Sequence, residues 1–216
     1  MSTVDELFFV HIPKNGGRSI VAVGKSNNID WGYHYWKTQN VQLWHVPYSM
    51  YKYPKDPSHC FAVVRNPYER LISAYNFANR EDTINNLMNN EKSAKRFNQW
   101  IFSKVLDVQP LLEDVKSNIH KYKQNMNIHV IPQYLFTHDE TGNEVVFHIL
   151  KFENLENDFK FLMKEHNSDI DLGIHIGKSE QIITPDWLSI ENILLINQVY
   201  SKDFEYFGYE KLIELE

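Results

Sequence analysis

The sequence predicts an α/β fold: a single domain over residues 1–216, with a central, mainly parallel sheet flanked by helices in three layers. Three observations predict it. Two short segments, 7–12 and 60–64, are continuously apolar, the pattern of strands buried on both faces. Each of these runs breaks into a turn and then into helical spacing. Segments with strand-like and helix-like spacing alternate from there on, which favours a sheet whose strands are joined by helices.

Leu7, Phe8, Phe9, Val10, His11 and Ile12 form the first run, and Pro13 stops it. Asn15-Gly16-Gly17 reads as a turn, with a short helix over 18–24. Residues 26–40 have no clear period and predict a loop with a short strand near 33–36. A second short strand is expected at 41–44 and a helical turn at 47–51. Cys60 to Val64 is the second buried strand. Asn66 is a good N-cap and Pro67 a good first helical residue, so a helix should run to about Phe77. Tyr68, Leu71, Ile72 and Tyr75 form its apolar stripe, and Asn66, Arg70 and Ser73 are expected together on the polar side. Residues 79–93 read as an exposed loop and 94–105 as a helix. A polar segment runs to 127. A strand over 145–152 and helices over 154–165 and 190–204 complete the chain.

The bulk properties narrow the function. Hydrophobic residues make up 43% and aromatics 14% of 216 residues, enough for a substantial core. The net charge of −6 makes the chain a poor general binder of nucleic acid or of anionic membranes. An anionic ligand therefore needs a compact cluster of donors. The one cysteine, Cys60, cannot form an internal disulfide. That favours a reducing compartment, and no Cys/His spacing resembles a zinc site. No segment approaches the length of a membrane span, and the first residues lack a basic leader. The expected location is cytoplasmic. Oligomeric state is not legible.

Two strand-to-helix junctions carry the chemistry. At the first, a buried strand feeds Pro13-Lys14-Asn15-Gly16-Gly17-Arg18-Ser19. Such a turn aims several backbone N–H groups at one point, a helix N-terminus adds its positive end, and Lys14 adds a full charge. This is a phosphate cradle, but not a Walker A loop, because the lysine precedes the glycines. The alternative is a tight turn whose glycines only supply positive φ. At the second junction Arg65 ends a strand, on the edge where open α/β sheets bind ligands, and its fork suits two phosphate oxygens. Ser73 follows eight residues later. The plainer reading is a capped helix with a surface Arg and Ser.

Taken together the junctions resemble the PAPS-dependent sulfotransferases, specifically the Golgi-type carbohydrate sulfotransferases of sulfotransferase family 2. (PAPS is 3′-phosphoadenosine-5′-phosphosulfate; PAP is the product left after transfer.) His11-Ile12-Pro13-Lys14-x-Gly16-Gly17 is similar to the family's 5′-phosphosulfate loop, P-K-T-G/A-G-T-S. Val64-Arg65-Asn66-Pro67-x-x-Arg70-x-x-Ser73-x-Tyr75 is similar to its 3′-phosphate motif. Lys151-Phe152-Glu153-Asn154-Leu155, His175-Ile176-Gly177-Lys178-Ser179 and the 200–209 segment resemble later family motifs in the expected order. Asn15 and Arg18 stand where the family usually has small or hydroxylated residues, and Gly177 replaces an Asn. Arg18 has two readings, a further phosphate contact or an outward helix residue.

The resemblance implies a P-loop-like fold and transfer of a sulfuryl group from PAPS to a hydroxyl acceptor, with a saccharide as the default. It assigns Lys14 and the backbone of Asn15, Gly16, Gly17, Arg18 and Ser19 to the 5′ end of the donor. It assigns Arg65 and Ser73 to the 3′-phosphate, and places Lys178 near the nucleotide. Lys14 would also stabilise the leaving phosphate. An acceptor hydroxyl needs a base. His45, in the interval where related enzymes carry their catalytic histidine, is the candidate; His34 and His11 compete. No metal is required. Two other readings stay open: a non-catalytic PAP-binding module of the same fold, and a phosphoryl transferase.

Overall fold

The structure is a computed structural model that describes residues 3–31, 36–38, 41–43, 56–79, 91–112, 127–139, 141–173 and 183–213. By its internal contacts the chain forms two compact units, residues 1–65 with 133–179 and residues 66–132 with 180–216.

The first unit holds the sheet. Strands β1 (Phe8–Val10), β4 (Cys60–Val64) and β5 (His148–Lys151) lie in the order β1-β4-β5, all parallel. Phe9 sits beside Phe61, and Phe61 beside His148. Every residue of β1 and β4 is buried, as their unbroken apolar runs predict. A separate antiparallel pair, β2 (Trp36–Thr38) and β3 (Val41–Leu43), carries the two short strands expected in this interval, the first shifted toward its C-terminal side.

Helices α1 (Gly17–Ser26) and α5 (Leu155–Glu165) belong to this unit. Ile20 and Val23 from α1 join Leu155, Phe159, Leu162 and Met163 from α5 in one core with Phe9, Phe61, Val63 and Leu150 of the sheet. Trp31 closes that core edge-on to Phe61 and Phe159, and its indole N–H donates to the Val4 carbonyl at 3.1 Å. Burying such aromatics against aliphatic side chains is the main source of stability here. The last strand is shorter than expected. Val145 and Phe147 donate their amides to Thr137 and Pro57 outside the ladder, so β5 begins only at His148. A one-turn helix, α4 (Tyr134–Thr137), precedes it.

The second unit is helical among its described residues: α2 (Pro67–Ala78), α3 (Glu91–Val108), α6 (Ile190–Val199) and α7 (Ser201–Phe207). Asn66 caps α2 as expected; its side chain accepts from the amides of Tyr68 and Glu69. Tyr68, Leu71, Ile72 and Tyr75 are buried, again as the stripe predicts. Phe97, Ile101, Val105 and Val108 line the buried face of α3. The expected polar side of α2 needs correction. Arg70 is only 1% exposed; its guanidinium donates to the Ile131 carbonyl at 2.7 Å. Burial pulls its pKa down from the ordinary value, while buried Asp203 and Tyr200 oppose that shift. The single final helix is two helices that meet at Tyr200, a buried residue whose hydroxyl donates to the Val130 carbonyl.

No helix among the described residues is long and apolar enough to cross a membrane.

Candidate active site

The carboxyl ends of three neighbouring parallel strands meet at one edge of the sheet. β1 runs out into the Lys14 loop, β4 into Arg65 and β5 into Phe152. Ligands of open α/β sheets bind at such edges.

The loop after β1 has the backbone of an anion cradle. Lys14 and Gly16 both have left-handed backbones, with φ of 70° and 77°. Gly16 serves as the N-cap of α1 and has no side chain to fill that end. Residues 13 and 14 form a turn, and among the described residues the amides of Gly16, Gly17 and Arg18 past it have no acceptor. The Ser19 amide, expected to join them, donates instead to the Gly16 carbonyl at 2.9 Å. Consecutive N–H groups at a helix N-terminus attract an anion. A left-handed lysine costs about 1–2 kcal/mol, a strain typical of functional loops.

Close packing explains both glycines. A Cβ on Gly17 would fall 2.1 Å from His11 Nε2, far closer than van der Waals contact allows. A Cβ on Gly16 would lie 3.0 Å from the Phe152 ring, at a φ that side chains avoid. The His11 ring is half-buried and stacks on Phe9 with centroids 5.3 Å apart. Arg18 is exposed in the first turn of α1.

Asn15 turns inward. It is wholly buried, and its Nδ2 donates to the Val63 carbonyl and to Gln133 Oε1, both at 2.7 Å. Gln133 in turn holds the backbone of Arg65 on both sides. The Arg65 amide donates to Oε1 at 2.9 Å, and Nε2 donates to the Arg65 carbonyl at 2.8 Å. The Arg65 guanidinium lies over the face of Phe152, 4.3 Å from the ring centroid. Such stacking fixes a flat cation without using up its in-plane donors.

The sheet edge therefore brings together Lys14, the 16–18 amides and Arg65, on one unit. Ser73 sits half-buried on α2 of the other unit. His45, His34 and Lys178 lie outside the described residues. Sequence reading missed Gln133. It lies outside every motif, and a lone glutamine carries no signal of its own. The residues present fit a phosphorylated nucleotide: a cradle kept open by glycine, a run of amides without acceptors, a lysine and a stacked arginine.

A model of the sulfotransferase family matches residues 1–210. The chain belongs to the sulfotransferase family. It is accordingly a PAPS-dependent sulfotransferase, an enzyme of sulfuryl transfer. Neither curated proteins nor solved structures gave a match. For a sulfotransferase the family implies PAPS as donor and a hydroxyl as acceptor. Among the described residues no group of His, Cys, Asp and Glu is arranged to hold a metal ion.

Proposed function

We propose that this sulfotransferase transfers the sulfuryl group of PAPS to a saccharide hydroxyl, with His45 as general base. PAPS supplies an activated sulfuryl group: an S–O bond forms to the acceptor oxygen as the bond to the 5′-phosphate breaks, leaving PAP. His45 takes the acceptor proton. Lys14 and the 16–18 amides hold the charge that grows on the leaving phosphate. Arg65 and Ser73 take the 3′-phosphate on the strength of the sequence pattern, with Lys178 near the nucleotide. The observation that carries this reading is the run of Gly16, Gly17 and Arg18 amides without an acceptor beside Lys14. A family match that runs through both compact units supports treating 1–216 as one working domain. The single, buried Cys60 supports a cytoplasmic setting.

The test has two arms. Thermal-shift profiling with PAP, AMP and ATP should show stabilisation by PAP well beyond the other two. A panel of saccharides, small alcohols and lipid head groups with labelled PAPS, read by mass spectrometry, should return a sulfated sugar. PAP binding with no transfer to any acceptor would indicate a binding module. A sulfated small alcohol or lipid would move the acceptor class and leave the donor site standing.

A further inference from the structure

We infer that Gln133 is a positioning residue that locks the 3′-phosphate arginine and the 5′-phosphosulfate loop into one geometry. The inference rests on the donor site proposed above and concerns a residue that no motif contains.

Three observations carry it. First, Gln133 has no exposed surface, so it cannot touch a nucleotide and can act only through its neighbours. Second, its amide engages both backbone groups of Arg65, the N–H at 2.9 Å and the carbonyl at 2.8 Å. Third, the same Oε1 accepts from Asn15, the residue between Lys14 and Gly16. One side chain thus ties the turn after β1 to the end of β4. Asn15 adds a second tie to β4 through the Val63 carbonyl.

The chemistry suits the task. An amide side chain pairs with a peptide group through one donor and one acceptor, so Gln133 acts like an extra strand residue beside Arg65. Arg65 is the first residue past the ladder with β5, whose last pair is Val64 with Lys151. Its backbone would otherwise lose that support. Phe152 completes the brace, since one ring packs beside Gly16 and under the Arg65 guanidinium. Donor phosphates at the two ends of PAPS must be held at a fixed spacing for in-line transfer, where small misplacements are costly. The Asn15–Gln133–Arg65 connection sets that spacing.

The test is calorimetry with PAP and AMP on wild type, Gln133→Met, Arg65→Ala and the double variant, with melting curves on each. The ratio of AMP to PAP dissociation constants reports the 3′-phosphate contact alone. Gln133→Met should cut this ratio about tenfold, the worth of one well-placed charged hydrogen bond. In the Arg65→Ala background the same change should leave the ratio where it is. A merely structural glutamine would lower the melting temperature and leave the ratio intact, or would weaken both ligands equally; either result overturns the inference. If Gln133→Met does not fold, Gln133→Asn, whose shorter amide withdraws from Arg65, must lower the ratio, and an unchanged ratio there overturns it as well. A wild type with no preference for PAP over AMP would overturn the donor-site reading and this inference together. A preference kept in full by the glutamine variants would sink only the inference.

Discussion

The imidazole of His11 lies against the Cα of Gly17, so close that a Cβ would fall 2.1 Å from Nε2 and 2.3 Å from Cδ2. The ring cannot simply swing aside, because it is stacked on Phe9. Gly17→Ala should therefore destabilise the fold by about 1–3 kcal/mol, the usual penalty of overpacking. His11→Ala in the same chain should recover part of the loss, since it removes the ring that clashes. Melting curves on the two single variants and the double check this. Additive losses would mean that the clash is relieved elsewhere.

Lys14 combines a left-handed backbone with the proposed catalytic charge. Glycine adopts that conformation freely. Lys14→Gly should accordingly hold or raise the melting temperature while turnover collapses. Lys14→Ala keeps the strain and loses the charge. It should lower turnover more than PAP affinity, because the charge on the leaving phosphate is greatest in the transition state. Steady-state rates beside PAP calorimetry decide the matter. Equal factors in both would make the lysine a binder only.

In the second unit, Arg70 is a buried cation with buried Asp203 and Tyr200 in its field. Removing one partner strands the other. Arg70→Met should cost about 3–5 kcal/mol, and adding Asp203→Asn should return some of it. Urea unfolding of the single and double variants measures both. A double variant less stable than Arg70→Met would refute the coupling.

Asp139 organises the turn before β5. Its Oδ1 accepts from the Thr141 hydroxyl at 2.7 Å and from the amides of Thr141 and Asn143 at 2.9 Å. These bonds, the Thr141 hydroxyl first, hold its pKa down at about 2 from an ordinary 3.8. A carboxylate with a depressed folded-state pKa stabilises fully above its unfolded value and loses that contribution as pH falls through the folded one. The melting advantage of wild type over Asp139→Asn should thus be complete above pH 5 and shrink steadily between pH 4 and 2. A gap that is constant with pH would show that the charge plays no part.

How much of this was legible in the sequence depends on where the information sits. Strands β1 and β4 and the α2 cap were readable because burial on both faces demands unbroken apolar runs, and because Asn-Pro is a local signal. The Lys14 loop and Arg65 were readable for the same reason: each follows such a strand directly. Arg70 was misplaced because its spacing on α2 matches the polar side, and only distant partners such as Ile131 and Asp203 make its burial tolerable. The break at Tyr200 was hidden by an apolar pattern that continues across it. Gln133 was invisible, since its role exists only through Asn15 and Arg65, more than sixty residues away in sequence.

The base is the step on which the chemistry turns. His45 stands between the two phosphate motifs in the sequence, after a short apolar stretch that includes β3. If it takes the acceptor proton, His45→Ala should leave PAP affinity and melting temperature nearly unchanged, because the base meets the acceptor and not the donor. Turnover should fall by about 10²–10⁴-fold, the usual worth of a positioned base. The wild-type rate should fall on the acid side as an imidazole takes up a proton, and that limb should vanish in the residual activity of His45→Ala. His34→Ala should be mild. His11→Ala should act through stability, since its ring packs against Gly17 and Phe9. Steady-state kinetics against pH on all three variants, with one confirmed acceptor, separate them. A dead His34→Ala beside an active His45→Ala would move the base and leave Lys14 and Arg65 in place. A His11→Ala that melts like wild type yet has lost turnover would instead put the base at the mouth of the loop itself.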